Sequence, residues 1–366
     1  DPAALLPPLA VALLWGLCRG VVDRRPWGWT AAAAAAGLLS GSSLWGALAL
    51  PAVRSAAAPA GMRQPRPNIV WIVAEDASPH LSCYGETVIQ TPVLDRLAAD
   101  GIRFANAFVT CPVCSPSRSA MVTGMRQTTL GAHNHRSQNA SGKGGGGEAY
   151  AESYRLPVKT IPRLFKDAGY FTSNGRLPSQ GTAGKTDYNF VWDARDYDGK
   201  NWRERPAGQP FFAQFQLTGG KGRSAPQQVD PAAVNLPPYY PDDPVLREDW
   251  ATYLNAWLQI DAHVGQILDQ LEEDGLVETT AVFFWTDHGI SHLRGKQFLY
   301  DEGVRVPLIA RVPGGPRGLV RDDLVMQIDV AAASLALAGI EIPPHVQGRD
   351  FLAGGYAPSE TIFCAR

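Results

Sequence analysis

Cysteine, methionine and net charge are all scarce in this chain. Five cysteines in 366 residues are too few for the disulfide framework of a small secreted domain. Lys and Arg number 33 against 35 Asp and Glu, so the formal charge is only -2, and no basic surplus exists for a nucleic-acid partner. Charged residues make up 19% and hydrophobic ones 45%, a balance that excludes intrinsic disorder. No internal repeat is present. What the chain does have is length, enough for one large α/β domain or about two average ones.

The shortage of charge is uneven. Residues 1–61 hold six charged side chains (Asp1, Arg19, Asp23, Arg24, Arg25 and Arg54) and 17 alanines, which places the chemistry in residues 62–366. From Pro26 to Val53 nothing is charged, and Arg24-Arg25 stand just before. Three readings compete. Paired arginines, an apolar run and the small cluster Ser55-Ala56-Ala57-Ala58 suit an export signal of the twin-arginine type. Residues 26–53 are also long enough for a membrane anchor, although Gly28, Gly37, Gly41, Gly46 and Pro51 make a weak one. The third reading is mistranslated upstream sequence, because the first methionine is Met62. The first two imply a periplasmic, secreted or membrane-anchored protein, and the third a cytoplasmic one.

Beyond Met62, short apolar runs alternate with helical patterns, which predicts an α/β fold with a large, mostly parallel sheet sandwiched between helices. Strands are expected at 68–74, 103–109, 170–173, 211–217, 281–286 and 307–312. Helices are expected from Thr91-Pro92 to Gly101 and over 117–123, 160–168, 249–273 and 329–338. Residues 141–147 are glycine-rich loop, 237–244 a proline-rich turn, and 361–365 strand-like.

Two carboxylate-bearing pairs stand out. Glu75-Asp76 and Asp287-His288 each follow a buried strand, so both should reach the same edge of the sheet, where α/β proteins bind ligands. A divalent cation would relieve their repulsion. Cys114 precedes a helix N-terminus with Arg118 one turn on, an arrangement suited to a tetrahedral oxyanion such as sulfate or phosphate.

Residues 114–124 read C-x-P-S-R-x-x-x-x-T-G, which resembles the signature of type I sulfatases, members of the alkaline-phosphatase-like superfamily. Pro67-Asn-Ile-Val, Thr286-Asp-His-Gly, Gly295-Lys296 and the run from Tyr300 to Pro307 support the resemblance in the family order. It implies that Cys114 is converted to formylglycine by a formylglycine-generating or sulfatase-maturing enzyme. One hydroxyl of the hydrated aldehyde would then attack the sulfur of a sulfate ester, and the other would expel sulfate. It further implies that Glu75, Asp76, Asp287, His288 and the modified Cys114 hold one divalent cation, Ca2+ first, with Mg2+ or Mn2+ as alternatives. Arg118, with the metal, would stabilise the hydrate's alkoxide, Lys185 keeps a family lysine and Lys296 would stand near the leaving group. Among the candidate catalytic residues, Lys221 could supply a further cation to the sulfate without matching a family position, and His292 reads as a substrate-side or structural residue. The expected substrates are small-molecule or glycan sulfate esters, the alternatives being N-sulfates or phosphonate monoesters. Relatives continue into a small C-terminal subdomain, whose truncation is the expectation here.

Some positions depart from the family. Gly184-Lys185-Thr186-Asp187 has aspartate where many members have histidine, and Gly219-Gly220-Lys221 likewise lacks a histidine. Glu75 replaces the usual aspartate and His288 the frequent asparagine. These departures, with the apolar N-terminus, motivate a rival from another class, a catalytically idle, membrane-tethered sulfate-binding protein. Other motifs read as weak. Cys111-x-x-Cys114 lacks the second pair of a zinc site, and Cys83, Cys111 and Cys364 read as small buried side chains. Residues 179–186 (SQGTAGKT) miss the first glycine of a P-loop, and His288-x-x-x-His292 lacks the glutamate of a helical zinc motif. His133-x-His135 suits a pocket rim or a structural role, and Asn139-Ala-Ser141 is a sequon without evident use.

Overall fold

The computed structural model describes residues 66–135 and 154–366. Residues 1–61 with their 26–53 stretch, the sequon at Asn139 and the 141–147 loop lie outside the described residues. Among those described, no helix is long and apolar enough to cross a membrane.

Seven strands form one sheet: β1 (Asn68–Ala74), β2 (Ile102–Phe108), β3 (Phe171–Gly175), β4 (Phe211–Leu217), β5 (Thr280–Thr286), β6 (Arg305–Arg311) and β7 (Leu319–Met326). Their order is β3-β4-β1-β5-β6-β2-β7, and only β6 runs antiparallel to its neighbours. The central strand β1 reads NIVWIVA and is buried along its whole length, as a strand covered on both faces must be. Its alternate residues serve opposite cores. Val70, Ile72 and Ala74 pack with the helices Pro92–Ala99 and Pro244–Glu273, while Ile69, Trp71 and Val73 share a core with residues of Cys114–Thr123, Ile161–Asp167 and Gln327–Leu337. On that second face Trp71 donates from Nε1 to Ser334 Oγ at 2.9 Å and meets Trp285 edge-on at 5.3 Å.

Three elements differ from expectation. The helix expected over 117–123 begins at Cys114, because first-turn N–H groups need no intrahelical partner and Pro116 is tolerated there. The helix expected from 249 begins at Pro244. Asp243 caps it by accepting from Val245 N at 2.8 Å, and the proline presets the first helical turn. Thr361–Ala365 is not a strand. The sheet edge belongs instead to β7, whose LVRDDLVM sequence carries the charges that edge strands tolerate. The tail is tied down by Ala365 N donating to Thr110 O at 2.9 Å.

Candidate active site

β4, β1 and β5 are adjacent and parallel, with Ala74 in register with both Leu217 and Thr286. Their C-terminal ends therefore deliver Thr218–Lys221, Glu75-Asp76 and Asp287-His288 side by side. Asp76 takes a left-handed backbone conformation (φ 51°), and its N–H donates to Asp287 Oδ1 at 3.1 Å. Asp76 is thus strained into place by its neighbour strand. Gly219 and Gly220 make this approach feasible. A Cβ on Gly219 would lie 2.1 Å from Glu75 O, and Gly220 N donates to the same carbonyl at 2.8 Å.

The helix Cys114–Thr123 brings its first residue to this edge. Ser117 anchors it, donating from Oγ to Asp287 O and sharing two hydrogen bonds with Gln327. Cys114 Sγ lies 3.2 Å from His288 Nε2, 3.2 Å from Lys296 Nζ and 3.8 Å from Asp76 Oδ1. Ligand atoms of Asp76, Cys114, Asp287 and His288 all lie within 4.8 Å of one another, and all four residues are buried. Two carboxylates, an imidazole and the residue-114 side chain at this spacing can hold a divalent metal.

Cations surround the cluster. Lys296 Nζ donates to Asp76 Oδ2 at 2.8 Å. Arg118 is fully buried; its Nε donates to Asp287 Oδ2 at 2.9 Å and a terminal nitrogen to Gln216 Oε1 at 2.7 Å. Lys185 Nζ donates to Glu75 Oε2 at 2.8 Å, and Lys221 Nζ stands 3.8 Å from the same oxygen.

The mutual fields shift the ionisation of these groups. Burial opposes the His288 imidazolium, but Asp287 and Asp76 outweigh it and raise its pKa to about 9. Burial likewise opposes the Asp287 carboxylate, and His288 with Arg118 nevertheless holds it well below the ordinary range. Burial works against the Lys296 ammonium too, yet Asp76 and the Cys114 position keep it more basic than usual. The Cys114 thiol is disfavoured as thiolate by burial and Asp287, yet the His288 contact brings it below its ordinary value.

A family model described as "Sulfatase" matches residues 67–340. The chain belongs to the sulfatase family. More specifically, the signature at Cys114 and the fold make it a type I, formylglycine-dependent member of the alkaline-phosphatase-like superfamily. Among curated proteins it is 32% identical to an ulvan-active sulfatase of Formosa agariphila, over 81% of this chain and 56% of that one. It is 26% identical to the human N-sulphoglucosamine sulphohydrolase, over 80% and 66%. The chain thus spans between about half and two thirds of the length of these relatives. Among solved structures it resembles a 2-O GAG sulfatase (TM-score 0.62, 20% identity, 78% of this chain and 73% of the other). It also resembles the phosphonate monoester hydrolase of Silicibacter pomeroyi (TM-score 0.60, 20% identity, 81% and 78%). At that identity the two structures establish the fold alone.

Within this sulfatase fold, the sequence-expected residues do not all converge. Asp76, Cys114, Asp287, His288, Arg118 and Lys296 do. Glu75, also expected among the metal ligands, pairs here with Lys185 and Lys221 and stands 3.9 Å from Arg118, beside the four-residue cluster. Lys185 and Lys221 consequently meet Glu75 rather than Cys114. His292 is held 3.0 Å from Asp249 and packs edge-on against Tyr240 and Trp250. His133 and His135 are exposed, and Cys83 and Cys364 are only partly buried, whereas Cys111 is fully so. No helix starts at Thr186, so the SQGTAGKT segment does not build a nucleotide-binding turn.

Gln216, Ser117 and Gln327 were not singled out in the sequence. The two glutamines in the otherwise apolar FFAQFQL of β4 were the available signal, since a buried amide must have partners.

Proposed function

We propose that the chain hydrolyses sulfate esters of glycans, with residues 62–366 as the catalytic domain and the nucleophile generated from Cys114. The observation that carries this reading is the position of Cys114, first in its helix, buried, and 3.2 Å from both His288 Nε2 and Lys296 Nζ. Formylglycine at this position, once hydrated, supplies an oxygen nucleophile in place of a thiol. Asp76, Asp287 and His288 fit a divalent cation, being hard oxygen donors with one nitrogen, buried together. A bound Ca2+, Mg2+ or Mn2+ would act as a Lewis acid toward the nucleophile and the sulfate oxygens.

The remaining roles fall to the chain's own cations. Arg118 locks Asp287 in orientation, and its second terminal nitrogen makes no hydrogen bond and faces only Glu75 at 3.9 Å, so a sulfate oxygen can compete with that carboxylate for it. Lys296 stays protonated through Asp76 and can hand its proton toward the leaving alkoxide. Lys185 and Lys221 share Glu75, and an arriving sulfate competes with that carboxylate for them.

Glycans are the substrate class because the named relatives are sugar-active: the ulvan-active sulfatase, the N-sulphoglucosamine sulphohydrolase and N-acetylgalactosamine-6-sulfatases. The test uses protein produced with a formylglycine-generating enzyme. Mass spectrometry of the tryptic peptide ending at Arg118 should show the aldehyde at position 114. Aryl sulfate turnover should be measurable and vanish in Cys114→Ala. A bare thiol with no turnover sinks the reading, and faster cleavage of a phosphonate monoester than of any sulfate reassigns the reaction.

A further inference from the structure

Arg294 is exposed, yet it is not free to wander. Its guanidinium carbon lies 3.9 Å from the ring centre of Tyr300 and 4.7 Å from that of Tyr239, so it rests against two tyrosine rings. Its backbone is left-handed (φ 64°), a conformation that non-glycine residues rarely adopt. The flanking turn fixes that strain in place. Tyr240 donates to Leu293 O, Gly295 N donates to His292 O at 3.1 Å, and Lys296 N donates to Ile290 O at 2.7 Å.

Among the described residues, no carboxylate pairs with this guanidinium and no hydrogen-bond acceptor meets it. Glu302, the carboxylate that adds to burial in raising the Tyr239 phenol, stands 3.8 Å from His80. An arginine packed in this way has already lost most of its rotamer freedom, while the edge of its planar fork still offers paired donors. Such an edge matches an oxyanion two-pronged, as in a sulfate or a carboxylate. Position matters as well. Arg294 is two residues from Lys296, so their Cα atoms are within about 7 Å of each other, and Lys296 touches the Cys114 position directly. The exposed rings of Phe298 and Tyr300 stack 6.4 Å apart beside it.

We infer that Arg294 binds a second anionic group of the substrate, distinct from the sulfate being hydrolysed, and so selects glycans that carry more than one negative charge. This rests on the reading of the chain as a glycan sulfatase. The second group is either another sulfate on the same sugar or the carboxylate of an adjoining uronate, and both offer the oxygen pair that the fork requires.

The test is a matched set of sugar sulfates: one bearing only the scissile sulfate, one with a second sulfate, and one joined to a uronate. In the unmodified sequence, kcat/KM should favour one of the two dianionic members, and which one identifies the group. Arg294→Gln should lower the ratio of dianionic to monoanionic kcat/KM by about 10- to 100-fold, chiefly through KM. Arg294→Gly should do the same, and its backbone conformation is the one glycine adopts without strain, so misfolding is not the explanation. A ratio left unchanged in both variants overturns the inference. So does a parent protein, carrying formylglycine, that cleaves aryl sulfate without preferring either dianionic sugar. Loss of all sulfate cleavage in the formylglycine-bearing parent protein overturns the proposed function instead, and this inference with it.

Discussion

The ammonium of Lys296 lies 3.2 Å from Sγ of Cys114. The cation is therefore in contact with the side chain proposed as the source of the nucleophile. It reaches this point because Gly295 lets the chain turn tightly, a Cβ there falling 2.1 Å from Ile290 O, and because Gln297 N donates to Pro112 O at 2.8 Å. Lys296→Ala is expected to lower kcat for an ordinary alkyl or sugar sulfate by about 10²- to 10⁴-fold. The loss should be smaller for an aryl sulfate with an acidic phenol, which leaves without a proton. Comparing kcat across leaving groups of graded pKa checks this, and an equal loss on all of them would contradict a proton-donating lysine.

Glu75 and Asp76 are adjacent in sequence but differ in partners. Asp76→Asn should weaken divalent-metal binding by about 10- to 100-fold, whereas Glu75→Gln should weaken it far less and act on sulfate binding through Lys185 and Lys221. Isothermal titration with Ca2+ and Mn2+, alongside sulfate inhibition constants, separates the two effects. Equal losses of metal affinity would place Glu75 in the ligand set.

Gly219→Ala places a methyl group 2.1 Å from Glu75 O at a backbone φ of 65°. The clash should cost about 1–3 kcal/mol of stability. Turnover should fall along with it, because the same contact aligns the β4 and β1 ends. A denaturation midpoint and a rate measured on the same preparation would test it, and a variant with unaltered stability would argue against the tight approach.

Trp71→Ala removes a fully buried indole and its hydrogen bond to Ser334 from the centre of the sheet. The expected destabilisation is about 3–5 kcal/mol, read from urea unfolding. Trp71→Phe should cost less, since it retains much of the ring packing against Phe212 and Trp285.

Asp249 sets a pH dependence remote from the metal cluster. Its carboxyl is held below the usual value first by the hydrogen bond with His292, against partial burial, and then by Arg223. A depressed carboxylate pKa gives stability that is fully present above the ordinary value near 4 and disappears as pH falls through the lowered one. The stability gap between the parent protein and Asp249→Asn should thus be open at pH 7 and narrow at pH 3. Urea midpoints at the two pH values decide it, and a gap that widens in acid would refute the assignment.

Much of this was legible in the sequence because it is local. NIVWIVA reads as a doubly covered strand, and two such runs ending in Glu75-Asp76 and Asp287-His288 put those carboxylates at one sheet edge once parallel pairing is assumed. The signature around Cys114 is local too. What the sequence hid depends on contacts between distant segments. Nothing in Gly219-Gly220 announces that their missing side chains admit the backbone of Glu75. The pairing of Glu75 with Lys185 and Lys221, which arrive from two other loops, was equally hidden. β7 was overlooked because an edge strand is half solvated, and LVRDDLVM shows neither a continuous apolar run nor clean alternation.

The neighbours of β1 carry a consequence for how the chain folds. β1 is complete at residue 74, yet its partner β5 begins only at residue 280. At about 5–20 residues per second, synthesis leaves one flank of this largely apolar strand without its partner for about 10–40 s. The strand most central to the finished sheet is thus an early-made aggregation hazard, and yield in a heterologous host should respond to translation speed and chaperone supply more than to the stability of the finished fold.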